Sequence, residues 1–226
     1  MGVPGDGSDP AERARQRDLV RRGYDTISRA YRDDTGGAHP QTAQSTDFYA
    51  EWVDELSVLL PSGARVLDLG CGCGLPATLQ LVKAGFKVVG VDHSAVQIER
   101  ARELVPGATF IQADMVSWNA EPGSFDAIVS FYALIHVPLE DQRRLLPRIR
   151  QWLREDGIFL ATFGNRRWTG VEEYLGASMF WDHADAATYV DWLAESRFMP
   201  IWNRFIPEGE SGHALILSRA TALPPV

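Results

Sequence analysis

The run Val66-Leu-Asp-Leu-Gly-Cys-Gly-Cys-Gly74-Leu-Pro-Ala77 constrains this chain more than any other. An apolar strand passes into three alternating glycines and then into a helical segment. Glycine at 70, 72 and 74 lets the backbone bend sharply and approach a ligand where a Cβ would collide. At the carboxyl end of a first parallel strand, such a bend is where open α/β sheets bind nucleotides. The chain that follows has the cadence of such a sheet. Apolar runs at Arg65–Leu69, Phe86–Val91, Thr109–Gln112, Phe125–Ser130 and Ile158–Thr162 alternate with helical stretches near Leu75–Ala84, Ala95–Leu104 and Glu140–Leu153. The pattern predicts βαβ crossovers and a parallel sheet with helices on both faces. Pro147 is expected to kink or divide the last of those helices. Phe198–Ile206 and Ala214–Ser218, joined by Pro207-Glu-Gly-Glu-Ser-Gly212, predict an antiparallel hairpin on the sheet edge, with a helix near Asp185–Ser196 before it.

Two helices precede the sheet. Val20, Tyr24, Ile27 and Tyr31 form the apolar stripe of the first, while Arg13, Arg17 and Arg21 fall on another face, expected to be solvated rather than to hold nucleic acid. Gly36-Gly37 ends that unit. The second helix takes Thr46 or Asp47 as N-cap, buries Phe48, Trp52, Leu56 and Leu59, and stops at Pro61-Ser62-Gly63. Residues 1–10 are polar, rich in Gly, Pro and Asp, and expected to be disordered. They contain no apolar signal region.

Composition narrows the partners. The 226 residues carry 22 Lys+Arg against 30 Asp+Glu, a net charge of −8. So acidic a chain repels phosphate backbones and anionic membranes, which argues against nucleic-acid and membrane partners. Phe125–Leu139, the most apolar stretch, is too short and polar to span a bilayer. Cys71 and Cys73 are the only cysteines, spaced too closely for easy disulfide geometry, and no clustered Cys or His completes a metal site around them. A soluble, cytoplasmic protein is expected.

Two ligand types compete for the glycine bend. Gly72-Cys-Gly74-Leu-Pro-Ala77 fits the letters of a dinucleotide loop, which would make the chain a nicotinamide- or flavin-dependent oxidoreductase. Yet that frame starts two residues past Gly70, and Pro76 removes an amide that a pyrophosphate could use. Asp68 is badly placed for a phosphate and well placed for an ammonium group.

The segment Asp68-Leu-Gly-Cys-Gly-Cys-Gly74 resembles motif I of the class I S-adenosylmethionine-dependent methyltransferases, and the resemblance extends over residues 20–220. It implies a Rossmann-like, mostly parallel seven-stranded sheet with a C-terminal antiparallel hairpin. It also implies an N-terminal helical lid (11–62) and a core (63–226) carrying a substrate-cap insertion at 165–184. Asp92, ending the second strand 18 residues past Gly74, matches the family's ribose carboxylate; its other reading is a helix N-cap. Ala113-Asp114-Met115 looks like the adenine site, although Asp114 also suits an Asx turn, and His93 is placed to flank the adenine. Phe131 and Tyr132, in Ser130-Phe-Tyr-Ala-Leu-Ile-His136, lie where the family surrounds the methionine portion. Tyr24 and Tyr31 occupy a helix like the one many members fold over the cofactor carboxylate.

The implied activity moves a methyl group from S-adenosylmethionine to oxygen or nitrogen of a small metabolite, leaving S-adenosylhomocysteine. A place in specialised metabolism and a monomer or homodimer are expected. Such a displacement needs an aligned acceptor and, for a protonated acceptor, a base. His136 and His183 are the candidate bases; His136 serves equally as a core histidine, and His39 and His213 are read as bland. Tyr132, Trp168, Tyr174, Met179, Phe180 and Trp181 make an aromatic surface suited to an apolar acceptor, or else an ordinary core plug. Arg166 and Arg167 either grip an anionic acceptor or stay solvated. Ser130 stands where magnesium-dependent members place an acid, so a metal-independent enzyme is expected. A non-catalytic protein that keeps the cofactor remains the third reading.

Overall fold

A computed structural model describes residues 9–35, 46–209 and 211–222. The side chains at 46 and 47, the Gly36-Gly37 stop, His39 and residues 1–8 of the stretch 1–10 expected to be disordered lie outside the described set; at the end of that stretch the expectation fails, since Pro10 begins the first helix and Asp9 caps it through the Ala11 amide. The order of elements is α1 (Pro10–Tyr31), α2 (Thr46–Leu59), β1 (Arg65–Leu69), α3 (Ala77–Lys83), β2 (Lys87–Asp92), α4 (Ala95–Leu104), β3 (Thr109–Gln112), β4 (Phe125–Ser130), α5 (Leu139–Trp152), β5 (Leu153–Gly164), β6 (Trp168–Tyr174), β7 (Ala177–His183), α6 (Ala186–Glu195), β8 (Phe198–Glu208) and β9 (Ser211–Ala220).

Seven strands form one sheet in the order β3-β2-β1-β4-β5-β9-β8. The first five are parallel, and the β8–β9 hairpin pairs antiparallel with β5. The chain runs outward from β1 through β2 to β3, then returns to β4 and proceeds the other way. That reversal leaves a crevice between the carboxyl ends of β1 and β4, where open α/β sheets bind their ligands. Strand β4 is buried along its whole length, as a central strand covered on both faces must be. One apolar layer packs α5 and α6 around Trp152, Phe159, Phe163 and Tyr189. The other packs α2 and α3 around Trp52, Leu56, Leu81 and Leu160.

Four other expectations need correction. The buried row of α2 is Tyr49, Trp52, Val53 and Leu56, while Phe48 and Leu59 are exposed, because the helix meets the sheet about one residue out of phase with the expected stripe. Pro147 does not divide α5. Strand β5 starts at Leu153, five residues ahead of the expected Ile158, since Leu153 already pairs with Phe125 and the polar Arg154-Glu-Asp stretch bulges out before the register resumes at Ala127 and Ile158. The basic row of α1 is not solvated: Arg13 is buried against Asp141 at 2.8 Å, and Arg17 pairs with Asp114 at 2.8 Å and also with Asp141. Those carboxylates come from the β3–β4 connection and from α5. The row therefore pins α1 onto the sheet's carboxyl edge.

The aromatic insertion is a two-stranded antiparallel ribbon, β6–β7, standing apart from the main sheet. Helix α1 lies directly on β7. Gly23 makes the close approach possible, since a Cβ there would sit 2.5 Å from the Met179 sulfur.

Candidate functional site

The glycine bend does in space what its sequence suggests, but each glycine does something different. Gly70 (φ +84°) is held by packing: an added Cβ would lie 2.2 Å from Ala133 Cβ. Gly72 (φ +54°) faces open space, with nothing within 4 Å of such a Cβ. Gly74 packs against Val105 and Phe110 and lines no cavity. The Gly70 and Cys71 amides both donate to the Val91 carbonyl, tying the bend to the end of β2.

A cavity of about 110 Å³ opens beside Gly70 and Gly72 at the reversal between β1 and β4. Most of the expected cofactor contacts converge on it: Tyr24, Tyr31, Asp92, His93, Asp114, Met115 and Phe131. Asp92 accepts from the Gly72 and Ser94 amides, both at 2.9 Å. Ser94, not Asp92, caps α4 by accepting from Gln97 N. Asp114 accepts from Val116 N at 2.9 Å with one oxygen, the Asx turn, and from Arg17 with the other. Asp68 lies one step deeper, on a smaller cavity of about 50 Å³ that shares Tyr31, Gly70, Gly72 and Phe131 with the first.

Electrostatics identify what such a pair of spaces can hold. Asp68 is buried, and its hydrogen-bond donor is the Thr78 hydroxyl at 2.6 Å. Loss of solvent pushes its carboxyl up to about 7, the Thr78 bond opposing and the nearby Asp92 adding to the rise. Asp92 is raised as well, by burial first, against the two backbone amides that hold its charged form. No ion pair reaches either carboxylate among the described residues. A buried carboxylate and a half-buried one, neither ion-paired among the described residues although Arg32 also lines the smaller cavity, flank bare backbone and fit a ligand bearing an ammonium and a diol. They repel a pyrophosphate.

A second cavity, about 240 Å³, lies on the far side of Tyr24, Tyr31, Tyr132 and His136, which line both spaces. Its other walls are Arg32 and Ile135, Glu172, Tyr174 and Trp181 of the ribbon, and Glu208 and His213 of the edge hairpin. Tyr132 takes a left-handed backbone (φ +56°), and its hydroxyl has no hydrogen-bond partner. Such strain in a bulky residue marks a position that its surroundings over-determine. A third space, about 280 Å³, continues outward past Trp181, Glu208 and His213 and contains Arg166, Trp168 and His183.

The two candidate bases part company here. His136 Nδ1 lies 2.8 Å from the Phe180 carbonyl, so it must carry the proton, and Nε2 accepts from Tyr24 Oη at 3.0 Å. Burial pulls this imidazole down to about 4. It sits at the wall between the cavities, neutral and with both nitrogens engaged. His183 is in the outer space, its Nδ1 2.7 Å from the Arg166 carbonyl, and does not reach the cofactor cavity. Of the expected acceptor contacts, Tyr132, Tyr174 and Trp181 line the second cavity, while Arg166 and Trp168 line the third. Met179 lines none: it is fully buried under α1 at Gly23. Arg167 lines none of these cavities: it is exposed, with 47% of its side chain in solvent, and pairs with Asp182 at 2.8 Å. Sequence reasoning missed Glu208, Glu172 and Arg32 as wall residues and treated His213 as bland.

Residues 66–157 match the sequence model of a family described as a methyltransferase domain. The trans-aconitate 2-methyltransferase of Variovorax paradoxus is 36% identical over 113 residues, 49% of this chain and 42% of that protein. The chain thus spans less than half the length of this curated relative. Among solved structures, the 1,6-didemethyltoxoflavin-N1-methyltransferase of Burkholderia thailandensis, with 1,6-didemethyltoxoflavin and S-adenosylhomocysteine bound, superposes with a TM-score of 0.72 at 20% identity. The match covers 97% of this chain and 94% of that one. The [4+2]-cyclase SpnF shares the fold with a TM-score of 0.69 at 17% identity over 89% of this chain and 94% of its own.

Proposed function

We propose that this chain, which carries a methyltransferase domain of the class I S-adenosylmethionine-dependent family, transfers a methyl group to oxygen or nitrogen of a small metabolite. The observation that carries the reading is the pair of carboxylates, buried Asp68 and half-buried Asp92, neither ion-paired among the described residues, flanking the Gly70–Gly72 bend. Asp68 is positioned for the amino-acid ammonium of S-adenosylmethionine, Asp92 for the ribose hydroxyls, and Asp114 with Met115 and His93 for the adenine. When bound, the cofactor supplies an electrophilic methyl on a sulfonium. Tyr24, Tyr31 and Phe131 present aromatic faces that tolerate such a cation.

The acceptor takes the second cavity, because that space shares a wall with the first and opens outward through the third. Tyr132, Tyr174 and Trp181 give it an apolar lining, and Arg166, Trp168 and His183 act as a vestibule. His136 orients Tyr24 in that wall; it does not store a proton. Metal independence is part of this reading, supported by Ser130, which stands at the end of β4 in place of a ligating acid and donates to the Leu69 carbonyl. No helix of the described residues is long and apolar enough to cross a membrane. Two buried free thiols, Cys71 and Cys73, suit a reducing cytoplasm. Residues 11–62 act as a lid, the ribbon at 165–184 caps the acceptor, and the metabolite belongs to specialised metabolism.

Isothermal titration with S-adenosylhomocysteine tests the cofactor assignment. Absence of binding at roughly 0.1–1 mM, the weak limit for a specific small ligand, ends it. Incubation with methyl-labelled cofactor and a metabolite extract tests the transfer, since only a transferase yields a labelled small product. A cofactor-keeping protein of another activity binds S-adenosylhomocysteine and labels nothing.

A further inference from the structure

Once the second cavity holds an acceptor with a proton to lose, its walls leave few places for that proton. His136 has both ring nitrogens engaged. Tyr24, Tyr31, Tyr132 and Tyr174 are all pushed further from ionisation by burial. Glu172 is at the exposed rim. The edge hairpin supplies what remains. In the β8–β9 register Ile206 faces His213 and Glu208 faces Ser211, which brings the Glu208 carboxylate to 2.9 Å from His213 Nε2. A carboxylate only accepts, so Nε2 carries the hydrogen and Nδ1 is left as the bare, basic nitrogen. Nδ1 has no hydrogen-bond partner and is shielded from water. The ring stands edge-on to Tyr132, centroids 5.1 Å apart, at the wall shared with the cofactor cavity.

We infer that Glu208 and His213 form the proton-accepting pair of the acceptor cavity, and that the acceptor is a planar, conjugated compound with a weakly acidic O–H or N–H. This inference rests on the cofactor reading above. As the acceptor's oxygen or nitrogen bonds to the methyl carbon, a small shift of the wall uncovers His213 Nδ1, the acceptor's proton passes to it, and the electrons of the breaking carbon–sulfur bond stay on sulfur. Glu208, with 32% of its side chain exposed, balances the imidazolium, and the ring returns its Nδ1 proton to water once the methylated product leaves. A flat aromatic acceptor suits the walls: Tyr31, Tyr174 and Trp181 meet in succession at 6.4 and 5.8 Å between ring centroids and at 57° and 87° to one another, so a flat ring laid on one face meets the next edge-on. Arg32, buried and 5.6 Å from the centre of Tyr31, sets a fixed positive charge beside them that favours a developing anion. The other ionisable groups around His213 are Glu172, Arg166 and His183.

The test uses 4-nitrophenol as a planar acidic probe, added to the whole protein saturated with S-adenosylhomocysteine, with its phenolate band followed from pH 5 to 8. Binding should raise the phenolate fraction below the probe's free pKa, by about tenfold for each unit by which the bound pKa falls. His213→Gln should abolish that rise and Glu208→Gln diminish it, both with S-adenosylhomocysteine affinity unchanged. In parallel, nitrogen-15 spectra of histidine-labelled protein should show His213 protonated at Nε2 and bare at Nδ1, and should shift on proton uptake. A probe that fails to bind the loaded protein overturns the acceptor class. An unchanged phenolate rise in His213→Gln, or a ring protonated at Nδ1, overturns the base. Failure of S-adenosylhomocysteine itself to bind overturns the cofactor reading instead, so the two failures are distinct.

Discussion

The buried Asp68 carboxyl makes cofactor affinity depend on pH in a calculable way. Burial raises it from an ordinary 3.8 to about 7, so near neutrality the free protein carries it about half protonated. The sign follows from proton binding: between those two values the folded chain holds a proton that the unfolded chain has lost. The contribution of Asp68 to the stability of the free protein is therefore greatest in acid and falls as pH rises, by about 4 kcal/mol across the window. An ammonium group docked against Asp68 selects the ionised form and reverses the preference. The apparent dissociation constant then scales as one plus the protonated-to-ionised ratio. Relative to the high-pH limit, binding is about 11-fold weaker at pH 6 and about 1.1-fold weaker at pH 8, a tenfold gain overall. Titration of S-adenosylhomocysteine at pH 6, 7 and 8, in two buffers of different ionisation enthalpy, measures both the affinity and the proton released. Asp68→Asn should lose the proton release, and at pH 8 should bind about 10- to 100-fold more weakly for want of one charge-assisted hydrogen bond. Residual pH dependence in that variant belongs to Asp92. An Asp68→Asn protein that binds as tightly as the parent, with the same pH dependence, refutes the ammonium contact.

The glycine bend separates packing from binding: Gly70→Ala, which drives a Cβ into Ala133, should lower the melting temperature sharply. Gly72→Ala meets only open space and should cost about 1–2 kcal/mol for its left-handed backbone, with most S-adenosylhomocysteine affinity lost; the reverse ranking would refute the assignment. His136, depressed to about 4 by burial from an ordinary 6.5, is a group that the unfolded chain protonates first. The stability it contributes is present above pH 6.5 and lost on acidification toward 4, about 3 kcal/mol in all. Denaturant titrations of the parent and His136→Asn should therefore converge as pH falls from 7 to 4, and parallel curves would refute it. Arg17→Gln removes one partner from Asp114 and from the buried Asp141, at a cost of about 3 kcal/mol. Hydrogen exchange should quicken in residues 10–31 while β1 and β4 stay protected; unchanged protection of α1 counts against the pinning role.

The sheet was legible because its signals are local. β1, β3, β4 and α4 fall on the expected residues, each a short apolar run or amphipathic turn bounded by its own breakers. The glycine bend and Asp92 were legible for a related reason: both sit at strand ends, where the chemistry is set by a few adjacent positions. What failed to show depends on distant parts of the chain. Arg17 reads as a solvated helix charge until Asp114 and Asp141, 97 and 124 residues away, arrive beside it. His183 resembles a capping base by composition, yet the register of β6 with β7 carries it past the cofactor cavity to the outer space. His213 carried a faint signal, a glutamate five positions earlier across a turn-like stretch. That spacing means proximity only once the hairpin register pairs 206 with 213 and 208 with 211.

The wall between the two cavities shows how these long-range pieces act together. Two of its four members, Tyr24 and Tyr31, belong to α1, and a third, His136, is held by Tyr24 on one side and by the ribbon's Phe180 carbonyl on the other. Displacing α1 therefore removes the roof of the cofactor space and one wall of the acceptor space in a single movement. The polar ties that hold α1 down, Arg13 and Arg17 on Asp141 and Arg17 on Asp114, are poor sources of net stability, since burying charge forfeits much of what pairing returns. Apolar contacts of equal volume would grip as well. What ion pairs add is angular definition, and the one at Asp114 reaches a carboxylate on the wall of the cofactor cavity itself. A helix fixed there can be sensitive to what occupies that cavity, because any ligand group that draws on Asp114 alters the same carboxylate that Arg17 holds.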